Sequence, residues 1–288
     1  MKIDLVRPFL DLTLPHTAIL ASIAATWGFL TIAGFDSPVL MILVTTYFAL
    51  VTAALNSFNQ IADVASDKLG WSERPLPREV ITRDKAIRFT LTLMTISWIL
   101  LILSSTFAFS VGFLIIALSD SALAVLYSFR PIRFKRIPVL KNFILPVHIL
   151  VVPYMAILAL GGVAFFPPII ILMLLFDGTA TLMIADYVNI EGDNLVGDKT
   201  APIVFGSFGA KIIIMGLYLG STFIAVASYV FEPAQFFWVI VILVQIGMIT
   251  ISYGVNTRRN HKVIYQRNVA LSMLVSFVIL AALWMSLL

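Results

Sequence analysis

The chain has 288 residues, 60% hydrophobic and only 12% charged, with a mean hydropathy of +1.03. A soluble domain carries roughly twice that share of charge, so the composition excludes an ordinary soluble enzyme. The absence of cysteine excludes disulfides, thiolate catalysis and Cys-ligated zinc or iron–sulfur centres.

Apolar runs of about 20 residues, enough to cross a bilayer, are expected near 16–35, 38–60, 87–104, 107–127, 142–161, 167–189, 209–230, 234–253 and 268–288. The short alternating segments of a membrane barrel are not visible. The first run follows Lys2 and Arg7 but is too long for a typical signal-peptide core, and eight more follow it, so it reads as a retained helix. The expected fold is an all-α polytopic membrane protein, a single domain over 1–288. About nine transmembrane helices would surround a central cavity. A faint internal echo, in which Asn59 and Asp63 precede Tyr127 much as Asn189 and Asp193 precede Tyr253, points to two related four-helix units, spans 2–5 and 6–9.

Orientation follows from the basic residues. With the N-terminus in the cytosol, all 19 Lys and Arg fall in the N-terminal segment, in the even-to-odd loops or at the helix ends beside them. The opposite face carries only Asp36 and Glu232. This is the positive-inside asymmetry, and it accounts for the net charge of +4 without nucleic acid. The outer connections, Ser104 to Phe107, Gly161 to Pro167 and Glu232-Pro233, are short. Function is therefore expected on the cytosolic face, where the loops are longer and polar.

Two polar segments carry the chemistry. Asn59, Asp63 and Asp67 lie at i, i+4 and i+8, followed by Arg74-Pro75-Leu76-Pro77. Asp186, Asn189 and Asp193 lie at i, i+3 and i+7. On continuous helices each set lines one face. A capping acid at a solvated helix end explains a single Asp, but not two regular stripes, because acids at the hydrocarbon boundary are costly. Converging carboxylates require a cation. An all-oxygen donor set, with His16, His148 and His261 scattered, suits Mg2+ or Mn2+. Arg74, Arg78, Arg130, Arg133, Lys135, Arg136 and Lys199 follow these segments and would stabilise a diphosphate leaving group, although most basic residues here also serve topology. Apolar walls with Tyr47, Phe48, Phe58, Trp98, Phe176 and Tyr187 would suit an isoprenoid tail. Asp120, His148 and Asp177 lie deeper, and each reads equally as a hydrogen bond between helices or a substrate contact.

At these residues the chain resembles the UbiA superfamily of intramembrane prenyltransferases. The family's first motif, Asn-Asp-x-x-Asp-x-x-x-Asp, appears as Asn59, Asp63 and Asp67, with Gln60 in place of the usual second Asp. Its Arg-Pro-Ile-Pro-Ser-Gly stretch appears as Arg74-Pro75-Leu76-Pro77 followed by Arg78-Glu79. The loop after span 4 matches at Tyr127-Ser128 and Lys135-Arg136, and Asn142 opens span 5. The second Asp-rich motif matches Asp186 to Asp193, with Asn189 at a position often occupied by Asp, and continues through Gly197, Lys199-Thr200 and Pro202 to Gly206. The resemblance implies Mg2+-dependent transfer of a polyprenyl group from a polyprenyl diphosphate to a lipophilic acceptor inside the membrane. Asp63, Asp67, Asp186 and Asp193 would hold metal. Asn59, Arg74, Tyr127, Lys135, Arg136, Asn189 and Lys199 would hold the diphosphate. The acceptor stays open among aromatic quinone precursors, geranylgeranylglyceryl phosphate and chlorophyllide. Rival readings are a UbiA-type terpene cyclase, in which the cation attacks its own chain, and a cation-binding transporter, which predicts polar residues continuing to the outer face.

Overall fold

The computed structural model describes residues 3–32, 37–129, 132–160, 168–231, 235–256 and 261–287. Lys2, Asp36, Arg130, Gly161 to Pro167, Glu232, Pro233, Arg258 and Arg259 lie outside them. Among the described residues all regular structure is helical, as α-helices with 3-10 and π turns. In order the helices are α1 Ile3–Thr13, α2 Pro15–Ile32, α3 Pro38–Gly70, α4 Arg83–Ala108, α5 Val111–Ser128, α6 Leu140–Pro146, α7 Val152–Leu158, α8 Pro168–Val188, α9 Ile190–Val196, α10 Ala201–Val204, α11 Gly206–Phe231, α12 Gln235–Ser252 and α13 His261–Leu287.

Among the described residues seven helices are long and apolar enough to cross a bilayer, and eight if α1 and α2, bent by 57° at their junction, count as one span. A ninth is not confirmed. Over the span expected at 142–161 the described residues are helical from Leu140 to Leu158, with a π turn at Val147–Val151 directly after Pro146, whose missing backbone N–H removes one helical hydrogen bond.

The chain divides into two compact units, residues 1–134 with 147–165, and residues 135–146 with 166–288. In the first, α3 packs against α1, α2, α4 and α5. It has 33 residues, about 50 Å at 1.5 Å per residue, against a hydrocarbon layer of about 30 Å. Some 20 residues from Pro38 exhaust that layer, so the Asn59–Asp67 stretch reaches its boundary. The helix begins with Pro38 in its first turn, where a missing N–H costs nothing, and its packed face is small or apolar: Val44, Tyr47, Phe48, Val51, Ala54.

Three polar residues of α3 have a purely local task. The bend after α1, at Leu14 (φ 47°) and Pro15, leaves the last carbonyls of α1 without helical partners. Gln60 Nε2 donates to Asp11 O (3.0 Å) and Leu12 O (2.9 Å), Asn56 Nδ2 to Thr13 O (2.9 Å), and Ser57 Oγ to Leu12 O (3.3 Å). Each capped carbonyl removes an unsatisfied buried group.

In the second unit, α8 packs against α6, α11 and α13, and α12 against α11 and α13. Polar links join these helices. Thr181 Oγ1 lies 2.9 Å from Tyr218 Oη and 3.1 Å from Ser272 Oγ, and Gln245 Nε2 donates to Asp177 Oδ2 (2.5 Å) and Ser221 Oγ (2.9 Å). Asp177 is thereby a structural acceptor between α8 and α12. Close approach of α6 to α8 depends on Gly178, where a Cβ would lie 2.8 Å from Pro146 Cγ and 2.9 Å from its Cβ. The rigid proline ring cannot yield, so Gly178→Ala is expected to destabilise the protein by about 1–3 kcal/mol. Thermal unfolding in detergent checks this; an unchanged midpoint would contradict the packing.

Candidate active site

In the first unit the acid stripe forms as expected, because α3 continues unbroken to Gly70. Asn59, Asp63 and Asp67 share one face, and both acids are buried. Each has a partner. Asn59 Oδ1 accepts from Ser128 Oγ at 2.6 Å. Asp63 Oδ1 lies 3.4 Å from Arg133 Nη2, and Asp67 Oδ2 lies 2.7 Å from Arg74 Nη1. Arg74 is positioned by its loop: Leu76 is buried against Leu12, Ile81 and Ala86, and Val80 N donates back to Pro75 O (3.0 Å). The guanidinium also stacks over Trp71, 4.8 Å from its ring centre. Tyr127 is half-buried at the end of α5. Trp98 lies on an exposed face of α4, so it does not line an internal wall.

Gln60 explains one departure from the family pattern. It points to the α1 carbonyls, not along the acid stripe. Gln60→Glu restores the family's acid but sets a carboxylate against two carbonyl oxygens. It is expected to cost about 2–4 kcal/mol, read as a lower unfolding midpoint in detergent. An equal or higher midpoint would contradict the clamp.

In the second unit the expected continuous stripe is broken. α8 ends at Val188, Asn189 turns the chain (φ −117°, ψ 18°), and α9 starts at Ile190. Across the break Asn189 Nδ2 donates to Asp193 Oδ1 at 2.8 Å, an i,i+4 pair that ties the turn to α9. α9 then ends in a Schellman turn, with Asp198 N donating to Asp193 O (2.9 Å) and Gly197 N to Asn194 O (3.2 Å). Gly197 supplies the required left-handed φ of 74°.

That turn gathers a compact cluster. Lys141 Nζ lies 2.8 Å from Asp186 Oδ1 and 3.3 Å from Asp193 Oδ2, so one ammonium bridges the two acids. Asn142 Nδ2 donates to Asp186 Oδ2 at 2.7 Å. Arg136 Nε is 3.6 Å from Asp198 Oδ1. Lys135 is buried, whereas Arg136 and Lys199 are exposed. Burial pushes the Asp193 carboxyl above the usual carboxylate range; Lys141 pulls it back, while Asp186 and Asp198 push it up further. Asn189 Oδ1 is buried and accepts no hydrogen bond.

Lys141 and Asp198 were not among the expected site residues, and Arg133, expected near a diphosphate, pairs with Asp63. Lys141 opens α6 beside a basic loop whose charge topology alone accounts for, and nothing in a single sequence separates an ion-paired lysine from an orienting one. Among the described residues no three acids or histidines converge as a ready metal cage. The donors nevertheless suit Mg2+: they are carboxylate oxygens with a spare buried amide oxygen at Asn189, and Mg2+ takes only one or two carboxylates before water and phosphate complete its shell.

Residues 20–277 match the model of the UbiA prenyltransferase family, and the chain belongs to that family. It is an integral, multi-pass membrane prenyltransferase. Digeranylgeranylglyceryl phosphate synthase of Thermococcus gammatolerans is 26% identical over 239 residues, 80% of this chain and 83% of that protein. Chlorophyll synthase of Avena sativa is 26% identical over 204 residues, 67% of this chain and 52% of that protein. Among solved structures, a UbiA homologue from Archaeoglobus fulgidus bound to GPP and Mg2+ has a TM-score of 0.67 at 20% identity, covering 93% of this chain and 99% of that one. This last likeness is one of fold.

Proposed function

We propose that the chain transfers a prenyl group from a prenyl diphosphate to a lipophilic acceptor, with both acid clusters serving one Mg2+–diphosphate group. Asp63, Asp67, Asp186 and Asp193 would hold the metal, with Mn2+ as a substitute. When bound, the metal would neutralise charge on the departing diphosphate. Asn59, Arg74, Tyr127, Lys135, Arg136, Asn189 and Lys199 would orient the phosphates. The observation that carries this reading is the Asp186–Lys141–Asp193 bridge: two acids gathered on one cation at the end of an apolar helix. The Mg2+ and GPP of the Archaeoglobus homologue support the same donor chemistry.

With the diphosphate held by these groups, the C1–O bond breaks and leaves an allylic cation. Apolar helix walls exclude water from it, and an acceptor nucleophile captures it. The acid clusters and the N-terminus face the cytosol in this reading, as the Lys and Arg distribution supports. For the acceptor, a glyceryl phosphate lipid is the first choice, since the Thermococcus relative makes digeranylgeranylglyceryl phosphate. Purified protein given labelled geranylgeranyl diphosphate, Mg2+ and geranylgeranylglyceryl phosphate is expected to yield a doubly prenylated glyceryl phosphate. No coupled product with this lipid, and product instead with an aromatic or porphyrin acceptor, would overturn the acceptor choice.

A further inference from the structure

Within the first unit, away from every carboxylate assigned to metal, three polar side chains form a hydrogen-bonded relay. His148 Nδ1 lies 2.9 and 2.8 Å from the two carboxylate oxygens of Asp120, and His148 Nε2 lies 3.3 Å from Thr52 Oγ1. Asp120, His148 and Thr52 are 4%, 3% and 1% exposed. A carboxylate only accepts, so Nδ1 carries a proton, and in the neutral imidazole Nε2 presents its lone pair to the threonine hydroxyl.

A helix contact does not need this arrangement. Elsewhere in the unit neutral groups such as Asn56, Ser57 and Ser110 join the helices, whereas an Asp–His pair at membrane depth is expensive. The backbone is also unusual there. His148 is presented by the π turn Val147–Val151, a feature that concentrates at functional sites.

The relay is in register with the acid stripe. Thr52 precedes Asn59 by two turns of α3 and Asp63 by three, so the three lie on one face. At 1.5 Å per residue Thr52 stands about 10 Å deeper than Asn59 along the helix. On α5, Asp120 lies about two turns before Ser128, whose hydroxyl bonds Asn59. The relay and the acid stripe thus lie along the same two helices, with Thr52 and Asn59 on α3 and Asp120 and Ser128 on α5.

We propose that the Asp120–His148–Thr52 relay accepts the proton of the acceptor's nucleophile, and therefore that the acceptor reacts through a hydroxyl and not a carboxylate. This rests on the prenyl-transfer reading. The C1–O bond of the prenyl diphosphate breaks, its electron pair leaving with the diphosphate. The acceptor hydroxyl oxygen forms the new bond to C1. Its proton passes to His148 Nε2, with the acceptor hydroxyl taking the place of the Thr52 hydroxyl, and Asp120 stabilises the imidazolium until the proton returns to water. A carboxylate nucleophile brings no proton and needs no such base.

The test measures diphosphate and prenylated product in one reaction, with geranylgeranyl diphosphate, Mg2+ and geranylgeranylglyceryl phosphate as the hydroxyl acceptor. Wild type is expected to form about one product per diphosphate. In His148→Gln, coupled product is expected to fall by about 10²–10⁴-fold, while diphosphate release continues with water capturing the cation as free prenyl alcohol. Unfolding midpoint and Mn2+ affinity should hold. Imidazole added to His148→Ala should restore part of the coupling. If His148→Gln does not fold, Asp120→Asn, which keeps the shape of the contact, should show the same uncoupling in milder form. Retained coupling, or product and diphosphate falling in parallel with the unfolding midpoint, would overturn the relay and make it structural. Absence of diphosphate release in wild type would instead overturn prenyl transfer, and the relay with it.

Discussion

An Asp193→Asn chain is expected to release diphosphate from geranylgeranyl diphosphate about 10²–10³-fold more slowly than the parent. Asp193 uses both oxygens, Oδ1 accepting from Asn189 and Oδ2 from Lys141. Asparagine keeps the shape and one acceptor oxygen but removes the charge. The fold is therefore largely retained, and the loss falls on cation binding. Raising Mg2+ should recover part of the rate, because a weakened ligand set is refilled by mass action. Asp63→Asn is expected to behave alike, although its neighbour is Arg133. Diphosphate assays over a Mg2+ series check both; parental rates at low Mg2+ would remove these acids from the site.

The second large effect concerns Lys141. Its ammonium touches Asp186 and Asp193 at once, and both carboxylates are nearly inaccessible to water. Lys141→Met keeps the length of the side chain and deletes the charge. In Mg2+-free buffer it leaves two buried acids without their shared cation and is expected to cost about 3–5 kcal/mol. A divalent cation supplies what was removed, so Mg2+ should stabilise Lys141→Met by several degrees more than it stabilises the parent. Unfolding in detergent with EDTA and with Mg2+ reads this directly. Equal Mg2+ stabilisation of the two proteins would contradict the view that lysine and metal answer the same electrostatic demand.

Much of this molecule was legible in the sequence because membrane physics is strict. Apolar runs had to be helices, and the first stripe, on a helix with no breaker before Gly70, kept its periodicity. The failures have specific causes. At Asn189 a residue without the force of proline still interrupts the helix between α8 and α9, and nothing in the spacing of the acids announces it. At Pro146 the proline was visible, but not the π turn that follows. Gln60 read only as a departure from the family's first motif, whereas its partners are carbonyls of α1, exposed by a bend at Leu14 and Pro15 that spacing alone does not reveal. Lys141 read as topological charge because ion pairing is a property of the fold.

The most direct test of a shared metal–diphosphate site is a double-variant cycle on Mg2+-dependent diphosphate release, with Asp63→Asn, Asp193→Asn and the pair combined. If both clusters serve one diphosphate, the second substitution adds little to the first, and the combined loss falls far short of the product of the single losses. Losses that simply multiply, or Mg2+-independent release in any of the three, would contradict a single site built from both acid clusters.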